Sequence, residues 1–270
     1  MTPDVKKIHK EFFEIHEAIR NLSDKDFFME DARAMKRPFQ RLDKLAAMEV
    51  EDRVLQEIYH SSELEPLLPA ISRLRNSYGL YLEIEQARSV LAASVPWDRL
   101  REFTFYPNYE HLADMEMQGA GLKPGDTAVF LGSGPLPLSL IFLCSRYDLK
   151  GIGIEQDASF VKLSRQVVDH LGLAGRISIR KGDHFSLPLE EHCHLFMIAA
   201  MARPKREIFH HLACNLPPGS LVSYRLYEKG LRRLLDQDGN FSLPPGFTEY
   251  RRIRPRPPVN NTVVVVKINS

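Results

Sequence analysis

Tryptophan occurs once and cysteine three times, and charge of neither sign is in excess: 36 Lys and Arg face 35 Asp and Glu, a formal net of +1. Such a balance supplies no field for gripping DNA or an anionic membrane. Cys144, Cys193 and Cys214 form no CxxC pair and are odd in number, which suits a reducing compartment better than a disulfide framework. No run approaches the roughly 20 apolar residues that a membrane span needs, and the charged first twenty residues lack the apolar core of a signal peptide. What is present is enough for a full core, since 44% of the 270 residues are hydrophobic. Disorder and a disulfide-stapled mini-protein are thereby excluded. The expectation is a soluble, cytoplasmic protein that binds neither nucleic acid nor membrane.

The chain changes character near residue 120. Before it, apolar residues recur at helical spacing: Ile8, Phe12, Ile15, Ile19 and Leu22 share one helix face. Ser23 and Asp24 read as a turn and cap before a second amphipathic segment ending near Met48. A helix is expected around Val54–Tyr59, and a long one over Ile71–Ala93 with two apolar faces. Ile71, Leu74, Tyr78 and Leu82 make one face; Leu80, Ile84, Ala87 and Leu91 make the other. The expectation for residues 1–120 is an all-α helical bundle. Amphipathic helices serve intramolecular and dimer cores equally well, which leaves a homodimer open.

Residues 121–270 alternate between the two periodicities. Strands are expected at Thr127–Leu131, Gly151–Ile154, Ile177–Arg180, Leu195–Ala199, Ser220–Arg225 and Thr262–Ile268, with helices at Pro137–Arg146, Ala158–Leu171 and Lys205–Cys214. Alternation of this kind implies an α/β fold, a doubly wound parallel sheet with helices on both faces. Arg251–Pro258 (RRIRPRPP) reads as an exposed loop before the last strand.

Candidate chemistry begins at Gly132-Ser133-Gly134-Pro135, a glycine-rich turn after the first strand. Glycines admit a ligand close to the backbone, the next helix offers free N–H groups, and Pro135 suits a first helical turn. Glu155 ends the second strand, where an acid can accept from both hydroxyls of a ribose. A dinucleotide or S-adenosylmethionine would fit. The third glycine of the dinucleotide fingerprint is absent, which favours S-adenosylmethionine. Gly182-Asp183-His184 follows the third strand, where Asp183 can meet the exocyclic amine of an adenine or simply cap the loop.

FLGSGPLPLS (130–139), GIGIEQDAS (151–159), MIAAM (197–201), LPPGSLVSYR (216–225) and NNTVVVVKI (260–268) together resemble the nicotianamine synthases. The resemblance extends back to FYPNYEHL (105–112) and YLE (81–83), and at this length it is to the prokaryotic branch of opine-type metallophores. It implies a Rossmann-like class I S-adenosylmethionine-dependent transferase domain. That domain would move a 3-amino-3-carboxypropyl group to the α-amine of an amino acid, typically histidine, with release of methylthioadenosine. The alternative is a small-molecule methyltransferase using the same ligand.

The resemblance also implies site roles. Glu83, Tyr109 and Tyr106 form the catalytic set, with Glu83 at the edge of an apolar face where desolvation raises a carboxyl pKa. Glu85 is the rival base or a substrate contact. Gly132, Ser133, Gly134, Pro135, Glu155, Gln156, Asp183, His184 and Ala199 line the S-adenosylmethionine site, with the reaction chamber between the two halves. Asp157 is ambiguous between a cap and a ligand contact. Arg225 can hold a substrate carboxylate or form a surface ion pair; nothing singles out Arg33 or Arg37. No metal is expected: His192-Cys193-His194 looks like a cluster, but neighbours on a strand point to opposite faces.

Overall fold

The computed structural model describes residues 3–22, 33–48, 50–189, 191–228, 230–235, 242–256 and 259–269. It divides into two compact units, residues 1–82 with 227–240 and residues 83–226 with 241–270.

The first unit contains α1 (Pro3–Ile19), α2 (Arg33–Ala46), α3 (Asp52–Tyr59) and the first part of α4 (Leu68–Leu91). The stripe read from the sequence faces inward: Ile8, Phe12, Ile15 and Ile19 are all buried, against Met35, Leu42, Ile58, Ile71 and Leu74. Leu231, Leu234 and Leu235, from a short 3-10 turn, join that core. Ser23 and Asp24 lie outside the described residues.

The division falls within α4, after Leu82, and not near residue 120. The two apolar faces of this helix explain the position. Its first half buries Ile71, Leu74 and Tyr78; its second half buries Ala87 and Val90. A stripe that changes sides along one helix serves two cores in turn.

The second unit carries the end of α4, then α5 (Pro96–Arg101) and α6 (Tyr106–Ala120). The strands and helices that follow are β1 (Thr127–Leu131), α7 (Leu138–Tyr147), β2 (Lys150–Glu155), α8 (Ala158–His170), β3 (Ile177–Lys181), β4 (Leu195–Ile198), α9 (Lys205–Asn215), β5 (Leu221–Leu226), β6 (Phe247–Ile253) and β7 (Thr262–Ile268). The seven strands run in the order β3-β2-β1-β4-β5-β7-β6. β1 to β5 pair in parallel, while β7 is antiparallel to both β5 and β6. The sheet is therefore mixed, a correction to the all-parallel expectation.

β7 shows why its sequence is a nearly unbroken valine run. Val263 and Val265 pack under Leu112 and Met115 of α6, while Val264 and Val266 pack with Ile208, Phe209 and Leu212 of α9. A strand covered on both faces needs apolar residues at odd and even positions alike. β6 is the opposite case. It forms an edge, most of its residues are exposed, and its register shifts between Glu249 and Arg251. Arg251 and Arg252 thus belong to a strand and not to the expected loop; the charges that hid it are those that guard an edge against further pairing.

β1 lies between β2 and β4, where strand order reverses, and Leu131 is in register with both Ile154 and Ile198. The turns after these three strands consequently leave the sheet side by side, at the place where open α/β sheets bind ligands. No described helix is long and apolar enough to cross a membrane.

Candidate active site

The turn after β1 is built on two left-handed glycines, Gly132 at φ 78° and Gly134 at φ 70°. An added Cβ at Gly132 would stand 3.1 Å from Ala199 Cβ, at the end of β4. At Gly134 it would stand 3.5 Å from Glu83 Oε2. Pro135 is not in the first turn of the helix, as expected, because α7 begins only at Leu138 with Pro137 as its N-cap. The second proline, not the first, immediately precedes the helix.

Glu155 is buried at the end of β2. One carboxylate oxygen accepts the Gly134 N–H and the other accepts the Asp157 N–H, each at 2.9 Å. A carboxylate oxygen has capacity for two donors. Each therefore keeps a lone pair, so the group suits a vicinal diol such as that of a ribose.

Glu83 faces this turn from α4 and is half-buried. Its Oε1 accepts a hydrogen bond of 2.9 Å from the Tyr109 hydroxyl of α6. Burial pushes the carboxyl up to about 7; the Tyr109 hydrogen bond pulls the other way, and the negative charge of Glu155 adds to the rise. The two acids flanking Gly134 thus have different roles open to them. Glu155, held by backbone donors, is an acceptor of hydrogen bonds; Glu83 is a group able to take up and release a proton near neutrality.

A family model described as nicotianamine synthase protein matches residues 2–270. The chain belongs to the nicotianamine synthase family. Curated relatives include nicotianamine synthase 3 of Oryza sativa subsp. indica, 28% identical over 159 residues that make up 54% of this chain and 46% of the relative. Nicotianamine synthase 1 of Hordeum vulgare is 28% identical over 184 residues, 61% of this chain and 54% of the relative. The chain spans about half the length of these curated relatives. Among solved structures, MtNAS in complex with MTA and tNA aligns at TM-score 0.88 and 26% identity over 100% of both chains. A point mutant of MtNAS in complex with S-adenosylmethionine aligns at 0.86 and 26%, covering 97% of this chain and 98% of that one.

Against this nicotianamine synthase fold, the residues read from the sequence separate into those the site gathers and those it does not. Glu83, Tyr109, Gly132, Gly134, Glu155 and Ala199 come together. Ser133 is buried in the turn with its Oγ unpartnered. Tyr106 packs edge-on against Phe142, ring centroids 4.8 Å apart, and Gln156 is exposed. Asp157 caps α8, accepting from the Ser159 and Phe160 N–H groups. Asp183 likewise caps a 3-10 turn through the Phe185 N–H, and buried His184 meets Glu207 at 3.2 Å. Glu85, the rival base, is exposed and paired with Arg88 at 2.9 Å. Arg37 is exposed, and the Arg33 side chain lies outside the described residues. Arg225 is not at the surface: the carboxylate it meets is the protein's own Glu116.

Neither Glu116 nor Lys205 stood out in the sequence. Lys205, in the first turn of α9, is buried and donates to the carbonyls of Ala199, Ala200 and Ala202. A cation there opposes the helix dipole, which was the available signal; it reaches back to fix the loop that packs on Gly132. His194 joins no metal cluster; it bonds Asp126 at 3.2 Å and accepts the Thr127 N–H at 3.1 Å. Among the described residues no group of three or more His, Cys, Asp or Glu is arranged to hold a metal ion.

Proposed function

We propose that this protein transfers the 3-amino-3-carboxypropyl group of S-adenosylmethionine to the α-amine of an amino acid, histidine in the first instance. Methylthioadenosine is the second product, and the reaction belongs to the synthesis of a nicotianamine-like, opine-type metallophore in the cytoplasm. Bound S-adenosylmethionine supplies a sulfonium, which activates each of its three attached carbons toward a nucleophile. Glu155 would hold the ribose hydroxyls and the glycine turn would admit the ligand to the backbone. Glu83 would remove a proton from the acceptor's ammonium group, with Tyr109 fixing the carboxylate that receives it. The freed nitrogen lone pair forms the new N–C bond at the γ-carbon, and the C–S pair leaves with sulfur as a neutral thioether. Because the leaving group is already activated, the protein's share of the work is alignment and proton removal, and no metal is called on.

One observation carries this reading: a proton-accepting carboxyl, held by a phenol, stands 3.5 Å from the Cβ position of Gly134. A transfer to an amine needs a base at the glycine turn, and the position of Glu83 beside Gly134 supports that role. Incubation of pure protein with S-adenosylmethionine and histidine tests the proposal. Methylthioadenosine supports it; S-adenosylhomocysteine would mean methyl transfer; neither product, with L- or D-histidine, would leave a ligand-binding module.

A further inference from the structure

We infer that the buried pair Arg225–Glu116 positions Tyr109 against Glu83; this rests on the reading of Glu83 as the base. Glu116 follows Tyr109 by seven residues on α6, two turns along the same face and about 10.5 Å down the axis. Arg225, on β5, donates through Nε to Glu116 Oε1 at 3.2 Å and through Nη2 to Ser139 Oγ at 2.9 Å. Its guanidinium also lies 6.0 Å from the Phe130 ring. Ser139 is in the first turn of α7, directly after the glycine loop, and Phe130 is on β1, directly before it. A single side chain thus joins the helix that carries the phenol to both ends of the turn that carries Gly134.

Packing alone does not fix α6 so closely. It packs on the sheet through Leu112 and Met115 on Val263 and Val265. Arg251 of the edge strand donates to its Gln118 carbonyl at 2.7 Å in an exposed contact, and its ion pairs to Arg146 are partly exposed, so these polar contacts constrain little. Arg225 and Glu116 are buried at 8% and 1% exposure, and Glu116 Oε2 and Ser223 Oγ are buried with no partner. Polar groups in a core cost free energy that apolar residues of the same volume would not. What the pair adds is a single register of α6 on the sheet.

The test reads the ionisation of Glu83 in the pH profile of turnover. The titratable groups acting on Glu83 are Tyr109 from α6 and Glu155 from the end of β2; Glu116 and Arg225 are not among them, and act on it through what they position. Tyr109→Phe, which deletes the hydrogen bond, is expected to raise the midpoint by about one pH unit, the tenfold effect of one hydrogen bond to a charged group. Glu116→Gln, and the volume-conserving double variant Glu116→Met/Arg225→Met, are expected to raise it in the same direction, with kcat down about tenfold. A merely structural pair would lower thermal stability and leave the midpoint in place. If Tyr109→Phe moves the midpoint and neither pair variant does, the positioning role is overturned and the base reading stands. If Tyr109→Phe itself leaves the midpoint in place, the positioning role is overturned, while the base reading is decided by the profile of Glu83→Gln.

Discussion

If Glu83 is the base, turnover titrates with a midpoint that no ordinary carboxylate has. Its carboxyl is pushed from 4.5 up to about 7 by burial. At pH 5 a carboxyl of the usual kind is about three-quarters ionised, whereas one at 7 is about one-hundredth ionised. The fraction of enzyme able to accept a proton therefore falls about a hundredfold between the plateau and pH 5. The measurement is the initial rate of methylthioadenosine formation from pH 5 to 9 at constant ionic strength, with both substrates below saturation. The acceptor's own amine adds a second limb near pH 8 or above, and Glu83→Gln separates the two. The variant should retain the amine limb, lose the one near 7, and turn over about 10²- to 10⁴-fold more slowly on the plateau. A wild-type profile with no inflection between pH 6 and 8 would refute the argument, and so would a glutamine variant that kept it.

Three further outcomes follow from the same geometry. Because the folded pKa of Glu83 lies above its unfolded value, the stability this group permits is full below pH 4.5 and is lost as pH rises through about 7. The loss is at most about 3 kcal/mol, and Glu83→Gln should raise Tm at pH 8 but not at pH 4. Glu155→Gln leaves one oxygen for two backbone N–H groups; calorimetry should show S-adenosylmethionine binding weakened about 10- to 100-fold. The same change should lower the Glu83 midpoint, since the charge of Glu155 raises it. Gly132→Ala forces a side chain to φ 78° and to 3.1 Å from Ala199 Cβ. Thermal unfolding should register a loss of about 1–3 kcal/mol, and unchanged stability would mean that the turn adopts another conformation.

The features legible in the sequence are those whose physics is local. The alternation of apolar strands and amphipathic helices from Thr127 onward needs only near neighbours to be read, and β7 occupies Thr262–Ile268 as expected. The glycine turn and the acid at the end of β2 belong to the same kind: their spacing along the chain becomes their spacing in space because β1 and β2 are adjacent and in register. Glu83 was legible for a related reason, since a helical wheel places it beside Ala87 and Val90, and both are buried.

What the sequence concealed depends on distant partners or on one residue's competition with the next. β6 carries charges that a half-buried strand would not, because it has a neighbour on one side only. Pro135 and Pro137 both suit a helix start, and only the course of the glycine loop decides between them. Asp157 and Asp183 could each meet a ligand or a backbone N–H, and in both cases the local cap is made. Arg225 is the sharpest case. At the end of a strand in an α/β sheet, an arginine suggests an anion from outside, yet its carboxylate comes from a helix 109 residues earlier in the chain. The same charge that would bind a substrate at the sheet's rim holds the phenol's helix in place when it lies one layer deeper. Which of these an arginine does is settled by burial, and burial is set by α6 lying over β5 and β7, an arrangement no window of sequence contains.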